Sequence, residues 1–219
     1  MNYLALLGWN PKTTEEFFTM EELIEKFEIS HVQKAGAKFD ISRLDFFNSH
    51  YLRAMDSKTV YHKLLTYLKR YNPEYLHKIS EFPNDYVQKV VAELKTKIKN
   101  FSEFEASSLY FFYPVKIAEE ELYINQKMKI TDISMVKNAL EVSLEMLKNT
   151  ANNFADLEDV KNTFIVAIKA AEMKNGQVLW PVRVALSGEE FSAGALELVF
   201  ILGIKKSIER IEKALSHLS

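Results

Sequence analysis

Apolar residues recur at three- and four-residue spacing along most of the chain, and almost nowhere at alternate positions. That period belongs to helices burying one face, not to strands. Thr19 and Glu22 stand at capping-box spacing ahead of Leu23, Ile24 and Phe27, which predicts a helix start. Asp40 precedes Leu44, Phe47, Tyr51 and Leu52, and Asp56 precedes Val60, Leu64, Leu65 and Leu68. Each aspartate predicts an N-cap, because its carboxylate can accept from amides left unpaired in a first turn. Further helices are predicted from Asn84 or Asp85 through Val91 and Ile98, and from a second capping box at Ser102-Glu103-Phe104-Glu105. Two more run from Asp132 through Val136, Leu140 and Leu147, and from Asp156 through Val160, Phe164 and Ile168.

Breakers divide these elements. Asn72-Pro73 and Pro114 are expected to end helices, and Asn175-Gly176 to close the one opened by Asp156. Gly188 and Gly194 flank a short loop, and Gly203 separates two last helices, the second carrying Ile204, Ile208, Ile211 and Leu215. Tyr110–Val115 and Val178–Val184 are the best strand candidates, but both are short, so an all-α fold is expected. The polar stretch Asn149-Thr150-Ala151-Asn152-Asn153 and the neighbourhood of Met55-Asp56 mark junctions. The expected organisation is a helical segment over 1–56 and two helical subdomains over 57–149 and 150–219.

At the N-terminus, Tyr3, Leu6 and Leu7 form an apolar helix face, and Gly8 occupies the place of a left-handed C-terminal cap. No helix start precedes Tyr3, which leads us to expect the C-terminal part of a longer protein.

Composition sharpens this picture. Hydrophobic residues make up 47% of 219, enough for real cores, while six glycines and five prolines suit long regular elements. The absence of cysteine removes disulfides, cysteine-based zinc sites and thiol catalysis, and fits a reducing cytoplasm. No apolar run reaches the roughly 20 residues of a membrane span. A net charge of -2 disfavours generic polyanion binding, yet leaves room for a local basic face.

No catalytic constellation is legible. The five histidines never stand at i, i+3 or i, i+4, so no metal site is expected, and Gly188 and Gly194 fit no phosphate loop. Glu119-Glu120-Glu121 and Glu189-Glu190 read as solvated faces, and no serine has a nucleophile setting. A binding module is therefore expected. The positive signal is basic residues interleaved with aromatics: Tyr61 to Tyr71, then Lys89, Lys95, Lys97 and Lys99, then Arg183, and on the last helix Lys205, Lys206, Arg210 and Lys213. Cations can neutralise phosphates while aromatic or guanidinium planes stack on unpaired bases. The competing reading is a helical protein-interaction module whose apolar faces dock partner helices.

Three stretches bear on that choice: Asn2-Tyr3-Leu4-Ala5-Leu6-Leu7-Gly8-Trp9, the segment from Phe39-Asp40 through Phe46-Phe47-Asn48 to Arg53, and Gly176 through Trp180-Pro181-Val182-Arg183 to Gly188, continuing to Gly203. In this order and at these separations the chain resembles bacterial-type glutamyl-tRNA synthetase, C-terminal to its catalytic domain. The resemblance implies an all-α anticodon-binding region attached to a stem-contact fold, in the cytoplasm. It implies tRNA(Glu) as partner, through anticodon loop and stem, with neither membrane nor DNA. The two ATP-handling signatures of the family lie upstream and are absent here, so ATP and magnesium would belong to the missing catalytic domain. No cofactor and no catalytic residue are expected in this part.

The resemblance also implies site residues. Phe46 holds the aromatic position directed toward the inner corner of the tRNA, and Asn48 and Arg53 follow in the same motif. Lys97 stands where an arginine often faces the third anticodon base. Arg183 matches an arginine that reads the first or second base, and Ser192 and Gly194 match the loop beside it. Four departures matter. Lys97 lacks the planar fork of arginine, Val182 replaces leucine, Ser187 replaces threonine, and Ala193 replaces a common proline, which predicts a looser loop. Trp180 is expected in the core with Val178 and Leu179.

Overall fold

The computed structural model describes residues 1–33, 36, 38–151 and 153–218. Among them are twelve α-helices and no strand beyond two isolated bridges, so the fold is all-α. In chain order the helices are α1 (Asn2–Gly8), α2 (Met20–Lys26), α3 (Ile41–Ala54), α4 (Ser57–Tyr71), α5 (Pro73–Ser80), α6 (Asn84–Leu94), α7 (Phe104–Phe112), α8 (Glu120–Tyr123), α9 (Ile133–Lys148), α10 (Leu157–Ala170), α11 (Asn175–Ser187) and α12 (Ala195–Leu215).

The caps read from sequence form as expected. Asp40 accepts from the Ser42 and Arg43 amides, Asp56 from Thr59, Asp132 from Met135 and Asp156 from Asp159. Thr19 and Glu22 make the reciprocal capping box. Gly203 interrupts α12 with φ 79°, a left-handed value that glycine adopts without steric cost.

Other expectations fail for identifiable reasons. Gly8 is not left-handed. The chain leaves α1 extended at Trp9 (φ -108°), and the Gly8 carbonyl instead accepts from the Gln33 amide at 2.7 Å. A bridge to Val32 has taken over the task of a cap. Ser102 does not cap α7. Asn100 accepts from the Ser102 amide and starts a 3-10 turn that runs directly into the helix. Pro73 ends α4 but also opens α5, because proline is well suited to a first helical position and Asn72 accepts from Tyr75. Asn175 and Gly176 begin α11 rather than close α10, which stops at Ala170. Both strand candidates are helical: Tyr110, Phe111 and Phe112 lie in α7, and Val178–Val184 in α11. Each helix is buried over most of its circumference, and such a helix carries no polar face to reveal its period.

One hydrophobic core runs from Leu52 to Leu218, and a small satellite of Trp9, Phe18 and Leu23 lies under α1 and α2. Buried Asn2 ties this satellite to α3: its amide donates to the Glu16 carbonyl, and its oxygen accepts from the Phe18 amide and the Tyr51 hydroxyl. Helix α9 packs against α10, α11 and α12. The polar stretch at 149–153 therefore joins helices of one packed group, and its Asn152 lies outside the described residues.

Tyr75, Tyr86, Tyr110 and Tyr123 are placed in the core or at its edge, and burial raises the pKa of each, to about 12 for the last three. An unfolded tyrosine ionises near 10. Stability is therefore retained below pH about 10 and lost as pH climbs toward 12, because only the unfolded chain can release these protons. Arg210, held down to about 10 by burial, pulls the other way but is outnumbered. The urea midpoint should fall steadily across that window; a flat midpoint would contradict the burial of these phenols.

Candidate nucleic-acid interface

Helix α11 presents Arg183 at the edge of the core. Its guanidinium carbon lies 4.3 Å from the centre of the Trp180 ring, three residues earlier on the same helix. One guanidinium nitrogen donates to the Ser192 hydroxyl at 3.2 Å. The Trp180 indole N–H donates to the Leu122 carbonyl at 3.1 Å, which fixes the platform. Partial burial lowers the Arg183 pKa, with Glu190 and Tyr110 opposing the shift. Among the described residues no carboxylate lies within ion-pair distance of Arg183. A half-buried, flat cation with most of its five N–H donors uncommitted is suited to hydrogen-bond a planar ligand edge.

The loop from Gly188 to Gly194 is fastened at both ends. Gly188 caps α11 at φ 71°, and a Cβ there would run into the Lys116 carbonyl. The Ala193 amide donates to the buried Tyr110 hydroxyl at 2.9 Å, and Gly194 provides the N-cap of α12. Ala193 was expected to loosen this loop relative to proline. The opposite mechanism operates: a proline has no N–H to give Tyr110, so alanine permits a tether that a ring would forbid.

Between the two fastenings Phe191 stands 84% exposed. It lines, with Trp180, Met128 and Gln126, a groove of about 920 Å³ whose charged side chains are Glu119, Glu121, Glu190 and Lys127. Trp180 is thus a part-buried wall with its ring under Arg183, and only partly a core residue.

The other expected site residues fall in a second neighbourhood, around α3 and the turn after α6. Phe46 is 46% exposed and meets Phe17 at 5.5 Å between ring centres. Asn48 commits its amide to the Lys99 carbonyl at 2.6 Å, so it joins α3 to that turn. Arg53 is exposed, with one nitrogen 3.3 Å from the Ser49 hydroxyl. Lys97 is paired with Glu93 at 2.6 Å. Lys95, by contrast, is spent on structure, since its ammonium donates to the Arg53 and Met55 carbonyls. The structure brings Arg183, Ser192 and Gly194 together, and brings Asn48 and Arg53 close to the Lys95–Lys99 turn.

Comparison with known proteins is decisive for the family. The profile described as the anticodon binding domain matches residues 59–215. This chain belongs to the anticodon-binding domain family. A second profile, the catalytic domain of class I tRNA synthetases (E and Q), matches residues 1–46. The chain is 36% identical over 217 residues to the glutamate–tRNA ligase of Clostridium botulinum strain Eklund 17B, covering 98% of this chain and 42% of that protein. It is 37% identical over 216 residues to the glutamate–tRNA ligase of Clostridium tetani, covering 97% and 41%. The chain thus spans about two fifths of the length of these curated relatives. The fold is similar, at TM-score 0.79 and 23% identity, to a crystal structure of a glutamate tRNA ligase from Elizabethkingia meningosepticum in complex with its amino acid, covering 100% of this chain and 40% of that one.

Within this anticodon-binding domain two functional readings from sequence need revision. Phe191 was missed. Its one signal was a lone aromatic in a short polar loop, without periodic apolar neighbours. Arg210 was placed in a surface basic run, yet it is mostly buried. It donates to the Leu186 carbonyl and, at 2.8 Å, to the Tyr110 carbonyl. It is first an internal tie that joins α7, α11 and α12.

Proposed function

We propose that this chain reads the anticodon loop of tRNA(Glu), as the C-terminal part of a glutamate–tRNA ligase acting in the cytoplasm. The single observation that carries the reading is Arg183, seated over the Trp180 ring, held by Ser192 and, among the described residues, with no carboxylate within ion-pair distance. Unstacked anticodon bases offer the planar acceptor edges that such a guanidinium suits. In the whole ligase, ATP and magnesium would serve a separate upstream domain, and this chain would contribute discrimination.

The groove beside Arg183 favours bases over phosphates. Three carboxylates and one lysine repel the backbone, while a carboxylate can accept from a cytosine amino group. Phe191 then serves as a stacking face. Phosphate and sugar contacts fall to the second neighbourhood, where Arg53 is exposed and Lys97 must exchange Glu93 for the ligand. Phe46 stands on the same helix as Arg53 as an exposed aromatic toward the tRNA. Ser192 and the Gly194 backbone hold the loop that faces the first two bases.

Titration of the chain with tRNA(Glu), and with an anticodon-substituted copy of it, over a series of salt concentrations tests this directly. Affinity should fall with salt for both RNAs, and the cognate anticodon should keep an advantage at every salt. Binding indifferent to the anticodon would return the chain to the class of helical interaction modules. A Phe191→Ala variant should lose about 1–3 kcal/mol of tRNA binding, the value of one stacked base, and Phe191→Tyr should keep it. Equal losses in both variants would remove the stacking role.

A further inference from the structure

A second cleft, of about 320 Å³, lies between the segment that follows α7 and the C-terminal half of α12. Its volume is within the range of small-molecule sites. Lys116, Lys206, Arg210 and Lys213 converge on it against one carboxylate, Glu209, over apolar walls that include Phe112 and Ile117. Small residues, Ala185 and Ala214, leave the space open.

The cations in this cleft outnumber its one carboxylate, Glu209. Among the described residues, none of the four cations has a carboxylate within ion-pair distance. Arg210 is pinned by the Leu186 and Tyr110 carbonyls, so its charge cannot swing out to solvent. Lys206 is half-buried, 5.7 Å from the centre of the Phe82 ring, and Lys78 approaches the same ring at 5.7 Å. Burial, then Arg210, with Lys78 also contributing, holds the Lys206 ammonium below the usual lysine value, against the pull of Glu209. Gathering partly desolvated like charges is unfavourable, and a bound anion removes the penalty. Lysines act as point charges around a compact anion, which suits phosphate, and the apolar walls suit a flat organic body attached to it.

We propose that this cleft binds an organic phosphate, a phosphate group carrying a nucleoside-like apolar body. Two sources share that chemistry: a free nucleotide, or one nucleotide of a bound RNA.

The test is calorimetric titration of the chain with adenosine monophosphate. Saturable binding is expected, with adenosine alone and inorganic phosphate alone each weaker by roughly tenfold or more. Lys116→Gln with Lys213→Gln, both at exposed positions, should weaken adenosine monophosphate binding by about tenfold. Lys206→Gln should do the same, with thermal unfolding recorded to confirm the fold. Lys169→Gln, the same single charge change as Lys206→Gln but on α10 and outside the cleft lining, should leave binding unchanged. Absence of saturable binding, or equal weakening by Lys169→Gln, overturns the proposal. Displacement of the bound nucleotide by tRNA assigns the site to RNA, and simultaneous binding assigns it to a free nucleotide. The nucleotide titration contains no RNA, so its failure leaves the anticodon reading standing.

Discussion

Arg183→Ala is expected to weaken tRNA(Glu) binding by about 1–3 kcal/mol, the value of one well-placed base contact. The side chain is preorganised by the Trp180 ring and the Ser192 hydroxyl, so little rotamer freedom is lost on binding. Partial burial also strengthens each hydrogen bond it makes to the ligand. The fold should tolerate the change. No carboxylate is left unpaired, and the Ser192 hydroxyl keeps its bond to the Ala193 carbonyl. Arg183→Lys should recover only part of the loss, because an ammonium cannot present two parallel donors. Filter binding of cognate and anticodon-substituted tRNA distinguishes the roles. A loss confined to the cognate RNA supports base reading, and an equal loss on both reduces Arg183 to a backbone contact.

Arg210→Met should have the largest effect on stability, about 2–4 kcal/mol from two lost charge-assisted bonds and the carbonyls they leave behind. The Tyr110 carbonyl sits four residues before Pro114, which has no N–H to give it. The Leu186 carbonyl lies in the last turn of α11, where helical donors have run out. Arg210 supplies both missing donors and so joins α7, α11 and α12. Part of the gain is offset by desolvation of the guanidinium, which burial holds down to about 10. Arg210→Lys should restore less than half of the loss, since one ammonium cannot span both carbonyls. Urea unfolding measures this, and a Met variant as stable as the parent chain would show that the tie contributes nothing.

These two arginines show where sequence reading stops. Arg183 was singled out through the resemblance, and its contact is local: Ser192 is nine residues away. Arg210 shares its residue type and carries Lys206 and Lys213 on the same helix, yet its partner Tyr110 is 100 residues away. Nothing in the spacing along α12 distinguishes a cation that faces solvent from one that caps two helices. Asn48 and Lys99, 51 residues apart, and Tyr110 and Ala193, 83 apart, are hidden for the same reason. The 149–153 stretch is polar and short, as a junction should be, but only packing reveals that α9 belongs with α10, α11 and α12.

Taken alone, the order of residues determined the helical character, most N-caps and the break at Gly203. A cap bonds within three residues and an amphipathic face repeats within four, so both are settled before any distant part of the chain arrives. Only the tertiary structure decided which cations are ties and which are free, why α7 and α11 are helices rather than strands, and where Phe191 and the Lys206 cleft stand. Those outcomes depend on contacts between segments far apart in sequence, whose free energy is set by burial and by which carbonyls and carboxylates happen to be brought near.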